Sequence, residues 1–145
     1  YVSVYNKNIY RIGDIFVRDS NKLTFKQKVH IFIYRILRGI AVKIFSFMPL
    51  QKNKIVFDNF AGRGYADNPK YIANELLNRN LNLDLVWFLN DMGQVLPSGI
   101  RKVKYNSIKS VYEYATAKVI VDNIRNSHLA PKRKRSNIFT NLAWF

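Results

Sequence analysis

The chain has 145 residues, 48% of them hydrophobic, which is enough to bury a core and excludes a disordered protein. Its 24 Lys and Arg against 9 Asp and Glu give a formal net charge of +15, which calls for an anionic partner: a membrane surface, a nucleic acid or a polyanionic substrate. There is no cysteine, so disulfides, thiolate metal sites and cysteine nucleophiles are excluded.

The first twenty residues hold short alternating runs at 2–5 and 9–17, broken by Asn6-Lys7-Asn8 and Gly13-Asp14. A small hairpin or the end of an upstream domain fits this pattern. The chain opens on Tyr1 with no signal-peptide pattern, and is expected to be part of something longer.

Residues 24–48 have helical spacing. Phe25, Val29, Phe32, Ile36 and Ile40 fall on one face, with Gln27, Lys28, Arg35, Arg38 and Ser46 roughly opposite. Ile31 and Val42 intrude on the polar side, and Lys43 on the apolar one. Lys22, Lys26, Lys28, Arg35, Arg38, Lys43, Lys52 and Lys54 supply eight positive charges, and no acid occurs between Asp19 and Asp58. A spanning helix needs about 20 apolar residues without such charges. The acid-free run predicts instead a helix lying in a membrane interface, with Lys26, Lys28, Arg35, Arg38 and Lys43 on anionic headgroups. The plainer reading is a core helix with a solvated basic face.

Residues 54–77 read as strand, glycine loop and helix start. Lys54-Ile-Val-Phe57 suits a buried parallel strand. Ala61-Gly62-Arg63-Gly64 is a loop, since glycine permits positive φ and close approach to backbone. Asn68 suits an N-cap and Pro69 the first helical position. A loop that leads into a helix N-terminus suits an anion such as phosphate. Gly62-x-Gly64-x-x-Asp67 lacks the third glycine of a dinucleotide fingerprint, and there is no Walker lysine. A plain βα turn is the competing reading.

The alternation continues. Residues 83–89 form a strand and 90–99 a loop. Residues 101–105 form a short strand, 107–117 a helix capped by Ser107, and 118–121 the next strand. Alternating strands and helices predict an α/β fold: a Rossmann-like parallel sheet with helices on both faces, preceded by the basic amphipathic helix. Ligands bind beyond the carboxyl ends of such strands, so residues 62–68 and 122–126 should share one edge. The basic cluster Pro131-Lys-Arg-Lys-Arg135 is read as a solvated loop. His30 and His128 are far apart in sequence, and no His/carboxylate cluster has metal-ligand spacing, so no metal or cofactor is expected.

Lys54-Ile-Val-Phe57, Gly62-x-Gly64-Tyr65-x-Asp67-Asn68-Pro69, Leu85-Val86-Trp87, Tyr114-Ala-Thr-Ala-Lys118 and Asp122-Asn123-x-Arg125 occur in this order. Together they resemble the CDP-glycerol glycerophosphotransferases, the polymerases and primases of teichoic acid synthesis, over about 53–135. The resemblance implies two Rossmann-like domains in a GT-B-type arrangement. The N-terminal domain would meet the membrane and the lipid-linked glycerol-phosphate acceptor. The C-terminal domain would bind CDP-glycerol and supply catalytic histidines. This chain matches the N-terminal domain only, so CDP-glycerol is a partner only where the other domain is present. Gly62, Arg63, Gly64, Tyr65, Asn68, Asn123 and Arg125 are the substrate- or phosphate-binding candidates, with Arg63 foremost. The place of action would be the cytoplasmic face of the bacterial membrane, peripherally bound.

The family pattern continues into a Tyr-Ile-Gln-Thr-Trp-His-Gly-like strand whose histidine serves as base. Here residues 137–145 read Asn-Ile-Phe-Thr-Asn-Leu-Ala-Trp-Phe. One permitted choice of codons, shifted by a nucleotide, restores Ile-Tyr-Leu-Gln-Thr-Trp-His. The expectation is a frame-shifted or truncated member, with 1–20 an extension or hairpin, 21–52 the membrane-associating helix, 53–135 the acceptor-side domain and 136–145 an aberrant tail. No catalytic residue is assigned, and the isolated chain is expected to be inactive. The alternatives are a nucleic-acid-binding module or a noncatalytic membrane adaptor. Nucleic acid is not expected, because the aromatics follow core patterns and do not interleave with Lys and Arg.

Overall fold

The computed structural model describes Tyr10–Ile12, Ile15–Val17, residues 24–123 and Asn137–Thr140. The chain divides into two compact units, 1–39 and 40–145. In the first, β1 (Tyr10–Ile12) and β2 (Ile15–Val17) pair antiparallel as a hairpin. The other parts of the 1–20 reading lie outside the described residues.

Helix α1 runs Phe25–Ser46. Its start is a reciprocal capping box: the Thr24 N–H donates to Gln27 Oε1 at 2.9 Å, and the Gln27 N–H donates to Thr24 Oγ1 at 3.4 Å. It stops just before Pro49. The helix has two unlike faces. Phe25, Val29, Phe32, Ile33, Ile36, Leu37, Ile40 and Ile44 are all exposed, as is Phe47 just after the helix. Ile31, Tyr34, Arg38, Ala41, Val42 and Phe45, on the other side, are buried or half-buried. Thus Ile31 and Val42, which spoil the polar face in the sequence, belong to a second, covered strip. Phe45 meets Tyr112 edge-on, with ring centroids 5.4 Å apart.

The second unit holds a five-stranded sheet. Its strands are β3 (Gln51–Asp58), β4 (Asp84–Leu89), β5 (Ile100–Lys104), β6 (Ala117–Asp122) and β7 (Asn137–Thr140). They lie side by side in the order β5-β4-β3-β6-β7, and every pairing is parallel. Counted from β3 as the first, this is the 3-2-1-4-5 order of a Rossmann-like sheet. Helix α2 (Asp67–Asn78) joins β3 to β4, and α3 (Ile108–Thr116) joins β5 to β6.

Strand alternation sorts the core into two layers. Val56, Val86, Phe88, Val103 and Ile120 pack with Tyr114 of α3. Phe57, Leu85, Trp87, Leu89 and Val121 pack with Ala73 of α2. The expected α/β fold with helices on both faces is therefore present. Full burial on both faces explains why residues 85–89 read as an unbroken apolar run.

Two local readings change. The first turn of α2 begins at Asp67, whose φ is 57°, with Ala66 at the cap position and no side-chain cap bond. Asn68 is thus inside the first turn and is not the cap. The left-handed Asp67 swings the chain into the helix before Asn68 is reached. Asn137–Thr140, read as an aberrant tail, forms β7 and continues the sheet beside β6. A β-rich Ile-Phe-Thr run beside an open strand edge is sufficient reason for that pairing.

Candidate functional site

Strand order reverses at β3 and β6, and the candidate site is the pair of loops at their carboxyl ends. Both strands end on the same dipeptide. Asp58-Asn59 closes β3 and Asp122-Asn123 closes β6, with Asp58 and Asp122 directly paired in register. Both carboxylates are buried. Burial raises the Tyr114 hydroxyl above its ordinary range, and the charges of Asp122 and Asp58 add to that rise. Asn123 Nδ2 donates to Asn59 Oδ1 at 2.6 Å and ties the two loops together.

The chain after Asn59 turns through three consecutive left-handed residues: Phe60 (φ 45°), Ala61 (φ 59°) and Gly62 (φ 76°). The Gly62 N–H donates to Asp58 Oδ1 at 2.7 Å, and the Arg63 N–H to the Asn59 carbonyl at 2.9 Å. Asn59 Nδ2 donates to the Gly64 carbonyl at 3.1 Å. From the β4 side, the Asn90 N–H donates to the Gly62 carbonyl at 2.8 Å and Asn90 Nδ2 to the Ala61 carbonyl at 2.7 Å. A Cβ on Gly62 would sit 2.6 Å from Tyr105 Cβ, so glycine is required both by its φ and by this approach.

Three backbone donors of this loop, the N–H groups of Gly62, Arg63 and Tyr65, are therefore used within the protein. Asp58 already supplies an anion to Gly62, and the Tyr65 N–H is taken by Gln94 Oε1 at 3.3 Å. What the loop offers outward is the exposed side chain of Arg63, 6.0 Å from the Phe60 ring centroid. Gly64 is packed under Gln94. Tyr65 is half-buried, stands 4.5 Å from the Trp87 ring, and donates its hydroxyl to Asn74 Oδ1 at 2.6 Å, which fastens the loop to α2. Asn68 is exposed in the first turn of α2. Arg125, His128 and the cluster 131–135 lie outside the described residues.

Sequence reading passed over Asn59, Phe60, Asn90 and Gln94. The signal for Asn59 was present: an apolar strand ending in Asp-Asn occurs twice, at 58–59 and 122–123. Asn90 and Gln94 sit in a loop with no local motif, and their role follows only from strand order.

The basic positions of α1 separate by exposure. Lys26, Lys28, Arg35 and Lys43 are exposed, while Arg38 lies on the covered side and is half-buried. Lys54, counted with the basic run, is sealed inside. Its Nζ is 2.6 Å from Glu113 Oε2, 3.0 Å from Thr116 Oγ1 and 4.7 Å from the Tyr112 ring centroid. The Ala-Thr-Ala-Lys stretch thus owes its threonine to a buried lysine. Arg101 bridges Glu113 and Asp84 across the same end of the sheet. Hydrogen bonding from Arg101 holds the Asp84 carboxyl below its usual range. Burial pushes Glu113 up, but hydrogen bonds from Arg101 and Lys54 and their charges outweigh it, and the net shift is downward.

Among the described residues, no group of three His, Asp or Glu could hold a metal, and no helix is long and apolar enough to cross a membrane.

A parallel sheet with this strand order and paired Asp-Asn strand ends at its switch point defines a Rossmann-like α/β domain, a fold in which ligands bind beyond the carboxyl ends of the strands. Residues 40–142 match the family model described as CDP-Glycerol:Poly(glycerophosphate) glycerophosphotransferase, and the chain belongs to that family. It is 35% identical over 88 residues to a teichoic acid poly(glycerol phosphate) polymerase of Staphylococcus epidermidis, a match covering 59% of this chain and 12% of the relative. In fold it is similar to structures of the wall teichoic acid polymerase TagF. One histidine-to-asparagine variant superposes with a TM-score of 0.66 at 22% identity, covering 83% of this chain and 31% of that one. The same variant soaked with CDPG gives the same values. The chain thus spans less than a third of the relatives it matches.

Proposed function

We propose that this chain is the acceptor-side and membrane-side part of a glycerophosphotransferase of teichoic acid biosynthesis. The full reaction would move glycerol phosphate from CDP-glycerol to a membrane-lipid-linked acceptor, within a GT-B-type pair of domains. A base takes the proton of the acceptor's terminal hydroxyl, that oxygen attacks the β-phosphorus, and CMP leaves. Such a transfer depends on positioning and on cations facing the phosphoryl oxygens. On this side of the cleft Arg63 is the cation offered to an acceptor phosphate.

The observation that carries the reading is the family match over the same residues that build the sheet and its switch point. The membrane-facing role rests on α1. Eight large apolar side chains are exposed along it, with Lys26, Lys28, Arg35 and Lys43 also exposed. That combination suits an interfacial helix on anionic lipid, peripheral and on the cytoplasmic face.

The 145 residues alone are expected to release no CMP from CDP-glycerol. A base must reach the reacting hydroxyl, and the one described histidine, His30, is on α1, outside the loops that end β3 and β6. The test is binding. Anionic vesicles that carry a lipid-linked glycerol phosphate should hold the chain more tightly than the same vesicles without it. Equal retention on both would contradict an acceptor-side role.

A further inference from the structure

Three successive left-handed residues, two of them not glycine, are a costly way to leave a strand. Phe60 and Ala61 each carry a side chain in a conformation that L-residues avoid. Such strain persists only where the surroundings over-determine it. Here they do. Five hydrogen bonds converge on residues 58–64: Gly62 N–H to Asp58, Arg63 N–H to Asn59, Asn59 Nδ2 to Gly64, and two from Asn90 to Gly62 and Ala61. Gly62 is also pressed against Tyr105.

The outcome of that rigidity is specific. Asp58, Asn59, Gly62 and Gly64 are buried, and only Phe60 and Arg63 are exposed from this turn. Phe60, at the carboxyl edge of a central strand, is 41% exposed, so part of its ring is open to a ligand. Its ring lies 6.0 Å from the Arg63 guanidinium, so the two groups present one apolar and one cationic surface side by side.

We propose that Phe60 and Arg63 form a two-part clamp for a glycerol phosphodiester, with Arg63 on the phosphate and the Phe60 ring against the carbon backbone of the adjoining glycerol. This rests on the acceptor-side reading above and makes Phe60 a specificity residue for a chain of diesters over a free phosphate. The guanidinium answers the charge in a fixed fork. The ring gains only from a ligand that has carbon on the phosphate's neighbour, which inorganic phosphate lacks.

The test titrates the 145-residue chain with glycerophosphoglycerol and, separately, with inorganic phosphate, following the backbone amide resonances of residues 59–64. Phe60→Ala, Phe60→Tyr and Arg63→Ala are compared, with the Trp87 indole signal reporting that the sheet stays folded. Phe60→Ala should weaken diester binding about fivefold, the value of one exposed aromatic contact, and leave phosphate binding unchanged. Phe60→Tyr should retain wild-type binding, and Arg63→Ala should lose both ligands. Equal diester binding by wild type and Phe60→Ala overturns the clamp and leaves the acceptor-side reading standing. No diester binding by the wild type overturns both.

Discussion

Lys54 Nζ lies 2.6 Å from Glu113 Oε2, with both side chains sealed from solvent. The pair ties β3 to α3 at the end of the sheet opposite the ligand loops. A buried ion pair is not a strong source of net stability, but removing one member leaves an uncompensated charge. Lys54→Ala is expected to cost about 3 kcal/mol in urea unfolding. Replacing both, as Lys54→Met with Glu113→Leu, should cost less than either single change. A double variant as unstable as the sum of the singles would contradict this.

Acid should act on the same network. Asp84 and Glu113 both have folded-state carboxyls held below their ordinary range. A depressed carboxyl contributes stability that is fully present above its unfolded value, about 4 for these groups, and is lost as pH falls toward the lower folded value. Stability measured from pH 7 downward should therefore stay level until about pH 5 and then fall. Glu113→Gln should start lower and decline less steeply below pH 5. A wild-type curve that rises on acidification would contradict the sign.

Gly62 is the tightest point of the site loop. Any side chain there meets Tyr105 at 2.6 Å and must also hold φ at 76°. Gly62→Ala is expected to destabilise by about 2–3 kcal/mol. The hydrogen bonds from Asn90 to this turn should loosen, seen as faster amide exchange at Asn90. Thermal unfolding at the wild-type temperature would contradict it.

Asn123 and Asn59 join the two strand ends through one 2.6 Å hydrogen bond. Asn123→Ala should leave the sheet intact, with about 1 kcal/mol lost. The measurable effect should be a change in the amide shifts of residues 59–64, since that bond couples the β6 end to the Phe60–Arg63 turn. Unchanged shifts across the turn would show that the two loops are not coupled.

Much of the sheet was legible because β3, β4 and β6 each carry a short apolar run, and Ser107 caps α3 as its position suggests, accepting from the Ser110 N–H at 3.1 Å. The cap of α2 was not legible. Asn68-Pro69 looks like a helix start, yet the left-handed Asp67 begins the turn earlier. Strand β7 was missed because four residues are too few to show a strand period, and their pairing with β6 is visible only in the fold. In the site, Gly62 and Arg63 stood out by residue type, whereas Phe60 and Asn90 have no local signature. Their importance lies in a backbone conformation and in a neighbour strand, neither of which spacing reveals. Lys54 reads as one more surface charge until Glu113, 59 positions later, is placed beside it.

The membrane-side role of α1 is tested most directly by co-sedimentation with phosphatidylglycerol-containing vesicles. The wild-type chain should pellet with them at low salt and be released as salt rises. Arg35→Glu should weaken retention, each basic group being worth about 1 kcal/mol near such a surface. Phe32→Asp with Ile36→Asp, both on the exposed face, should abolish retention while the circular-dichroism spectrum is kept. A wild-type chain that stays in the supernatant with anionic vesicles, or a double variant that pellets as the wild type does, would contradict a lipid-facing α1.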